Sequence, residues 1–137
     1  MVRFEKLSVT EKNYPFVDAT LAAEYANGTF GTVENGVFTA GATGFYAIMN
    51  LEDGDDAKSD DYRIGKDAHA RIVDFTQVPD GAIVNITSAQ LPTVYVIGDK
   101  LTSIASGVLS VPSEAPTEKY IEVIEVTSYG CRAKVVK

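Results

Sequence analysis

The sequence predicts an all-β protein, folded as a single small β-sandwich or a partly open β-barrel over residues 1–137. Short apolar or alternating segments rich in Val, Ile, Phe and Tyr recur along the chain, as expected for strands. Gly, Asn and Pro separate these segments at regular intervals. No stretch keeps a helical period and no repeat is present, so these short strands indicate one β-rich domain. With 45% hydrophobic residues, the chain can bury a core without covalent staples.

The first predicted strand contains an irregularity. Val2 and Phe4 alternate with polar neighbours, whereas Leu7 and Val9 continue the alternation in the opposite phase. One extra residue in a strand, a β-bulge, produces such a phase shift.

Residues 18–26 are predicted to contain one short helical turn. Asp18 or Thr20 could cap its N-terminus, and Leu21 and Tyr25 would lie on its apolar side. This is the one helical segment we expect in the domain.

A tight hairpin is predicted across residues 34–36. Asn35 and Gly36 both reach positive φ at low cost, as two-residue hairpin turns require. Strand-like residues 29–33 and 37–39 flank them. Asn27 and Gly28 predict a second turn of this kind.

The strand at residues 45–49 is apolar on both faces, Phe-Tyr-Ala-Ile-Met. Such a strand is covered on two sides. We expect the core on one side and a partner protein on the other.

Residues 52–61 are predicted to form an acidic surface loop. The segment carries one Glu and five Asp and has no apolar residue larger than Ala. A calcium site is the alternative, because calcium prefers several carboxylate oxygens. The spacing departs from the EF-hand pattern, which favours a solvated loop with no metal.

The remaining strands are predicted from apolar runs bounded by turn residues. They cover residues 71–75, 82–86, 94–97, 102–105, 107–111, 120–127 and 131–136.

Charge and cysteine content exclude several classes of function. The net charge is −7, from 19 acidic and 12 basic residues, and the basic residues are scattered. This argues against nucleic acid as a partner, since phosphate binding needs clustered Lys and Arg. A single cysteine excludes an internal disulfide. No segment resembles a signal peptide or reaches membrane-spanning length, so we expect folding in a reducing cytoplasm and no membrane partner.

No set of catalytic residues is evident. Cys131 with His69, the one histidine, could form a nucleophile and base, but Cys131 alternates with Ala133 as a core residue does. Gly41 and Gly44 precede a strand and not a helix, so they do not form a phosphate cradle. We therefore expect neither an enzyme nor a bound cofactor.

Several stretches together resemble the head decoration, or cement, proteins that tailed bacteriophages encode beside their major capsid protein. They are residues 18–20, 27–33, 62–71, 81–87, 97–101 and 120–127. The matching stretches are spread from residue 18 to residue 127 and consist of strand-turn units. It implies a β-rich structural protein of the virion, made in the host bacterial cytoplasm, that binds the assembled capsid surface and stabilises it.

The expected partners are the major capsid protein and neighbouring copies of the chain itself. From the N-terminal segment and the doubly covered strand, we expect contacts through Arg3, Phe4, Tyr14, Tyr46 and Ile48. The alternatives are a tail or tail-tip component and a small carbohydrate-binding β module. The absence of Trp disfavours the carbohydrate module.

Overall fold

A computed structural model describes residues 2–4, 16–49 and 63–136, with Arg3, Phe4 and Arg63 described by their backbone alone. Within these residues the chain forms thirteen strands and one 3₁₀ turn, which confirms the all-β prediction. The strands are β1 Val2–Phe4, β2 Phe16–Leu21, β3 Tyr25–Ala26, β4 Phe30–Glu34, β5 Val37–Ala40, β6 Tyr46–Ile48, β7 Arg63–Ile64, β8 His69–Asp74, β9 Ile83–Thr87, β10 Lys100–Ser103, β11 Leu109–Ser110, β12 Tyr120–Val126 and β13 Gly130–Val136.

Five strands close into a small barrel in the order β2, β5, β4, β6, β8. Strand β2 closes it, because it pairs antiparallel with β8 on one side and parallel with β5 on the other. Leu21 lies opposite Phe38 in the parallel pair. Closure leaves no free edge among these strands.

The other large element is a six-stranded antiparallel sheet in the order β1, β9, β13, β12, β10, β11. Its central pair is β12 and β13, whose register shifts between Val123 and Glu125. Strands β3 and β7 form a separate two-stranded ribbon.

Two hydrophobic cores stabilise this arrangement. The smaller one fills the barrel with Leu21, Phe38, Ile48 and Ile72 among its members. The larger one lies between the outer wall of the barrel and the inner face of the six-stranded sheet. It contains barrel residues such as Phe30, Ala47 and Val73, and sheet residues such as Val84, Ile121, Cys131 and Val135.

The two cores explain why strand β6 is apolar on both faces. Ala47 points to the larger core and Ile48 into the barrel, and neither has exposed surface. Successive side chains of a strand point to opposite faces, so a strand between two cores is buried on both. Both faces of β6 are therefore buried by other parts of the same chain, and not one of them by a partner protein.

The predicted helical turn at residues 18–26 is wrong. Strands β2 and β3 occupy this segment, and the one 3₁₀ turn of the described chain is at Ser88–Gln90. The backbone N–H of Thr20 donates to the Gly36 carbonyl and that of Leu21 to the Ala68 carbonyl. Sheet partners on both sides thus take the hydrogen bonds that a helix would have used internally.

The predicted hairpin is confirmed. Strands β4 and β5 pair antiparallel with Glu34 opposite Val37, and the two turn residues have φ of 53° at Asn35 and 76° at Gly36. Six of the seven later strand predictions also match strands, and residues 94–97 do not. The irregularity at residues 7–9 and the acidic loop at 52–61 lie outside the described residues and stay predictions.

Candidate functional site

The most unusual surface of the molecule is a loop that leaves aliphatic side chains in water. Val94, Val96 and Ile97 are exposed by 79%, 60% and 65%. Residues 94–97 were predicted to be a strand, and the structure corrects this: they lie in the connection between the 3₁₀ turn and β10 and pair with no strand.

Side-chain hydrogen bonds hold this loop in place. The Tyr95 hydroxyl donates to the Gly130 carbonyl at 2.9 Å, and its ring packs against the larger core. The Asp99 carboxylate accepts the backbone N–H of Val96 at 2.8 Å. Tyr95 is therefore the anchor, while the residues on either side of it point to solvent.

Backbone bonds tie the loop to strand β12 as well. The Gly98 N–H donates to the Val123 carbonyl at 2.8 Å, and the Val123 N–H donates to the Asp99 carbonyl at 2.9 Å. Exposed aliphatic side chains on a fixed backbone lose little conformational entropy when they meet a partner.

Burial also shapes the chemistry around the anchor. Burial raises the pKa of the Tyr95 hydroxyl, and the nearby Cys131 thiol adds to this effect. Burial raises the pKa of the Cys131 thiol to about 11. Both groups thus stay neutral at physiological pH and serve as parts of the core.

Other exposed apolar residues gather at the same end of the six-stranded sheet, which we call the apolar end. Of the eight large hydrophobic residues that are exposed in the described chain, five belong to it: Val94, Val96, Ile97, Val126 and Tyr129. Val126 and Tyr129 lie at the β12–β13 turn, where the Tyr95 hydroxyl binds the Gly130 carbonyl. Exposed apolar residues are thus concentrated and not scattered.

Charged residues are scarce in the sequence that forms this end. Residues 81–98 and 101–113 carry no charge in a chain whose net charge is −7. Near the loop, Glu125 is paired with Arg132 and Asp99 is bonded to the Val96 N–H. The apolar end is therefore a nearly neutral region of an acidic molecule.

The arrangement is suited to protein contact. Three aliphatic side chains with these exposures place roughly 300 Å² of apolar surface in water, comparable to the largest patch on a typical monomer. Such patches mark interaction sites, because burying them against a partner releases ordered water.

Two depressions lie near the free side of β10 and β11. An open cleft of about 350 Å³ adjoins the apolar end, with Gly98 and Lys100 on one side and residues of the β11–β12 connection, from Val111 to Pro116, on the other. A recess of about 240 Å³ lies between barrel and sheet, with Phe30 and Leu101 among its walls and Lys119 among its charged lining residues.

The structure corrects one of the contacts expected from the sequence. Ile48 has no exposed surface because it fills the barrel, so it is unavailable to a partner. Tyr46 is half-buried against the barrel core, and burial, with a smaller effect of the Asp74 carboxylate, raises its pKa. The side chains of Arg3 and Phe4, and all of Tyr14, lie outside the described residues, so these contacts stay predictions.

Cys131 and His69 are not brought together. Cys131 is fully buried in the core beneath the six-stranded sheet. The His69 side chain is 73% exposed on the barrel, and its Nδ1 lies 3.1 Å from the Asp18 carboxylate. In the structure they do not form a nucleophile and base.

The described chain contains no cluster of three or more His, Cys, Asp or Glu side chains that could hold a metal ion. None of its helical segments is long and apolar enough to cross a membrane.

Comparisons with protein-family models, with curated proteins and with solved structures found no match to this chain.

Sequence reasoning missed the apolar end because an apolar β-branched run is the ordinary signature of a strand. The signal that could have shown it is local. Pro92 and Gly98 bracket the run closely, and the surrounding residues 81–98 are uncharged. An uncharged surface segment in an acidic chain is a reason to expect a partner.

Proposed function

We propose that this chain is a structural virion protein that binds the assembled major capsid protein shell of a tailed bacteriophage and stabilises it. The observation that carries the proposal is the apolar end, where exposed aliphatic side chains stand on an anchored loop. The sequence resemblance to head decoration proteins supplies the identity of the partner.

The size of the apolar end supports repeated weak contacts. Docking of the 94–97 loop would bury on the order of 600 Å² counted over both partners, well below the roughly 1,200–2,000 Å² of a stable one-to-one complex. On a closed shell the same contact recurs at every equivalent position. Contacts made at the same time by linked copies add up by avidity, so neighbouring copies that touch one another would bind far more tightly than one alone.

The chemistry of the patch favours a protein over a carbohydrate. Its most exposed members are Val and Ile, whereas sugar platforms depend on flat aromatic rings. Among the described aromatic residues, Tyr129 is the one that is exposed, at 46%. The charge balance disfavours nucleic acid for the reason given above.

The test is co-sedimentation with shells assembled from the major capsid protein encoded beside this chain. Ile97→Asp and Val96→Asp place a charge on the exposed loop and should weaken binding by at least about tenfold, since the buried charge would lack a partner. Both positions are exposed, so the thermal melting temperature should stay close to that of the wild type.

Ile104→Asp is the matched control. Ile104 is 40% exposed in the β10–β11 connection, outside the apolar end, and the substitution makes the same change of charge. It should bind shells like the wild type. Equal binding by all three variants would show that the loop is not the contact. A wild-type chain that sediments with tails and not with shells would replace the proposal with the tail alternative.

A further inference from the structure

The open cleft beside the apolar end has one apolar wall and one charged residue. Val111, Pro112 and Pro116 line it on the side of the β11–β12 connection, and Gly98 and Lys100 line it on the other. Its volume of about 350 Å³ is within the range of sites that hold small ligands or several side chains. Lys100 is the one charged residue among those lining the cleft.

Lys100 contacts an aromatic ring and forms no ion pair with the described residues around it. Its Nζ lies 5.2 Å from the centroid of the Tyr120 ring, a cation–π contact that leaves the charge in place. Glu122 lies opposite Lys100 across the β10–β12 pair, but its carboxylate is bound by Lys134 at 3.0 Å. Among the described residues Lys100 forms no ion pair.

From this complementarity we infer that the cleft receives an extended segment of the partner protein that carries a carboxylate beside an apolar side chain. The apolar side chain would lie against Val111 and Pro112, and the carboxylate would pair with the Lys100 ammonium. The inference rests on the proposed function, since the cleft joins the apolar end at Gly98. Beyond the proposed function, the inference states that the partner segment bound in the cleft is acidic.

Charge explains why this cleft would select such a segment. The chain as a whole is acidic at −7 and repels acidic partners over most of its surface. A cation that forms no ion pair gives an acidic segment one place to bind, and so fixes its register.

Two synthetic peptides, acetyl-Leu-Glu-Val-amide and acetyl-Leu-Gln-Val-amide, test the inference by NMR titration of the ¹⁵N-labelled chain. The Glu peptide at up to about 10 mM should shift the amide signals of Gly98, Lys100 and Val111. The Gln peptide should bind about three- to fivefold more weakly, the effect of one exposed ion pair. Lys100→Gln should remove this preference, and added salt should reduce it.

Lys119→Gln is the matched control, because Lys119 is an exposed lysine that lines the other recess. It should leave the preference for the Glu peptide unchanged. Equal binding of the two peptides, shifts confined to other residues, or no shift at about 10 mM would each overturn the inference. Concentration-dependent shifts without peptide would show that a second copy of the chain occupies the cleft, which would also overturn it.

The shell assay separates this inference from the function on which it rests. If Ile97→Asp abolishes shell binding while Lys100→Gln binds like the wild type, the proposed function stands and the inference fails. If the peptide preference holds but the wild-type chain ignores shells, the cleft is confirmed and the capsid partner is wrong.

Discussion

At three glycines, substitution by alanine separates two costs in unfolding free energy: the cost of positive φ and the cost of steric overlap. Gly36 has a φ of +76° and open space where a Cβ would lie. Gly31 has no positive φ, but a Cβ there would overlap the Thr39 carbonyl of the paired strand. Gly107 combines a φ of +84° with overlap of the Thr29 methyl group.

The expected losses of unfolding free energy follow from these surroundings. Gly36→Ala should cost about 1–2 kcal/mol, which is the free energy needed to hold an L-residue in the left-handed backbone conformation. Gly31→Ala should cost about 2–3 kcal/mol, because strands β4 and β5 must separate to admit the methyl group. Gly107→Ala meets both penalties and should cost about 3–5 kcal/mol.

Urea unfolding followed by circular dichroism measures the three variants, with the slope m checked for constancy. The order Gly36→Ala, then Gly31→Ala, then Gly107→Ala is the result to expect. A Gly36→Ala loss as large as that of Gly107→Ala would refute the reasoning, because open space at residue 36 leaves backbone conformation as the sole cost. A neutral Gly31→Ala would show that β4 and β5 do not pair as described.

Four further variants test the cores, the exposed loop and one turn. Ile48→Ala should cost about 2–5 kcal/mol because the side chain fills the barrel, whereas Val96→Ala on the exposed loop should change stability by less than about 0.5 kcal/mol in urea unfolding. Burial raises the pKa of the Cys131 thiol from 9.0 to about 11, so the unfolded chain loses this proton first and the thiol should lower stability by about 2–3 kcal/mol between about pH 9 and 11. In melting curves recorded against pH, Cys131→Ala should make the fall smaller by this amount, while the raised pKa values of Tyr46 and Tyr95 still contribute to it. Asp74→Ala should cost about 2–3 kcal/mol in urea unfolding, because its buried carboxylate accepts hydrogen bonds from the Thr76 N–H and hydroxyl and the Gln77 amide.

A specific result would contradict each of these predictions. Similar losses for Ile48→Ala and Val96→Ala would contradict the placement of strand β6 between two cores. Parallel pH curves for the wild type and Cys131→Ala would show that the thiol is accessible to water. A neutral Asp74→Ala would show that the turn after β8 holds without its side-chain bonds.

Local structure followed directly from the sequence. The Asn35–Gly36 turn was predictable because positive φ at two successive residues is a local requirement that few residues meet. Strands β8, β9, β12 and β13 were predictable because alternation records which face of a strand is buried.

The candidate docking surface was not predictable in the same way. Residues 83–86 and 94–97 each contain three Val or Ile residues, yet one segment forms a central strand and the other an exposed loop. The two segments differ in strand pairing. Strand β9 pairs with β1 and β13 on its two sides, whereas the loop is held by the hydrogen bond from the Tyr95 hydroxyl to the Gly130 carbonyl. Strand formation needs a partner that can be distant in sequence.

The sequence by itself therefore determined the fold class, the hairpin turn and most strand positions. Tertiary structure decided that residues 18–26 contain strand and no helix, that Ile48 is core, and that Val96 and Ile97 are surface. The physical reason is the same in all three cases. In a β-protein, backbone hydrogen bonds and burial involve residues far apart in the chain. Whether a segment forms a strand, and whether its side chains are buried, therefore depends on which distant segments pair with it and cover it.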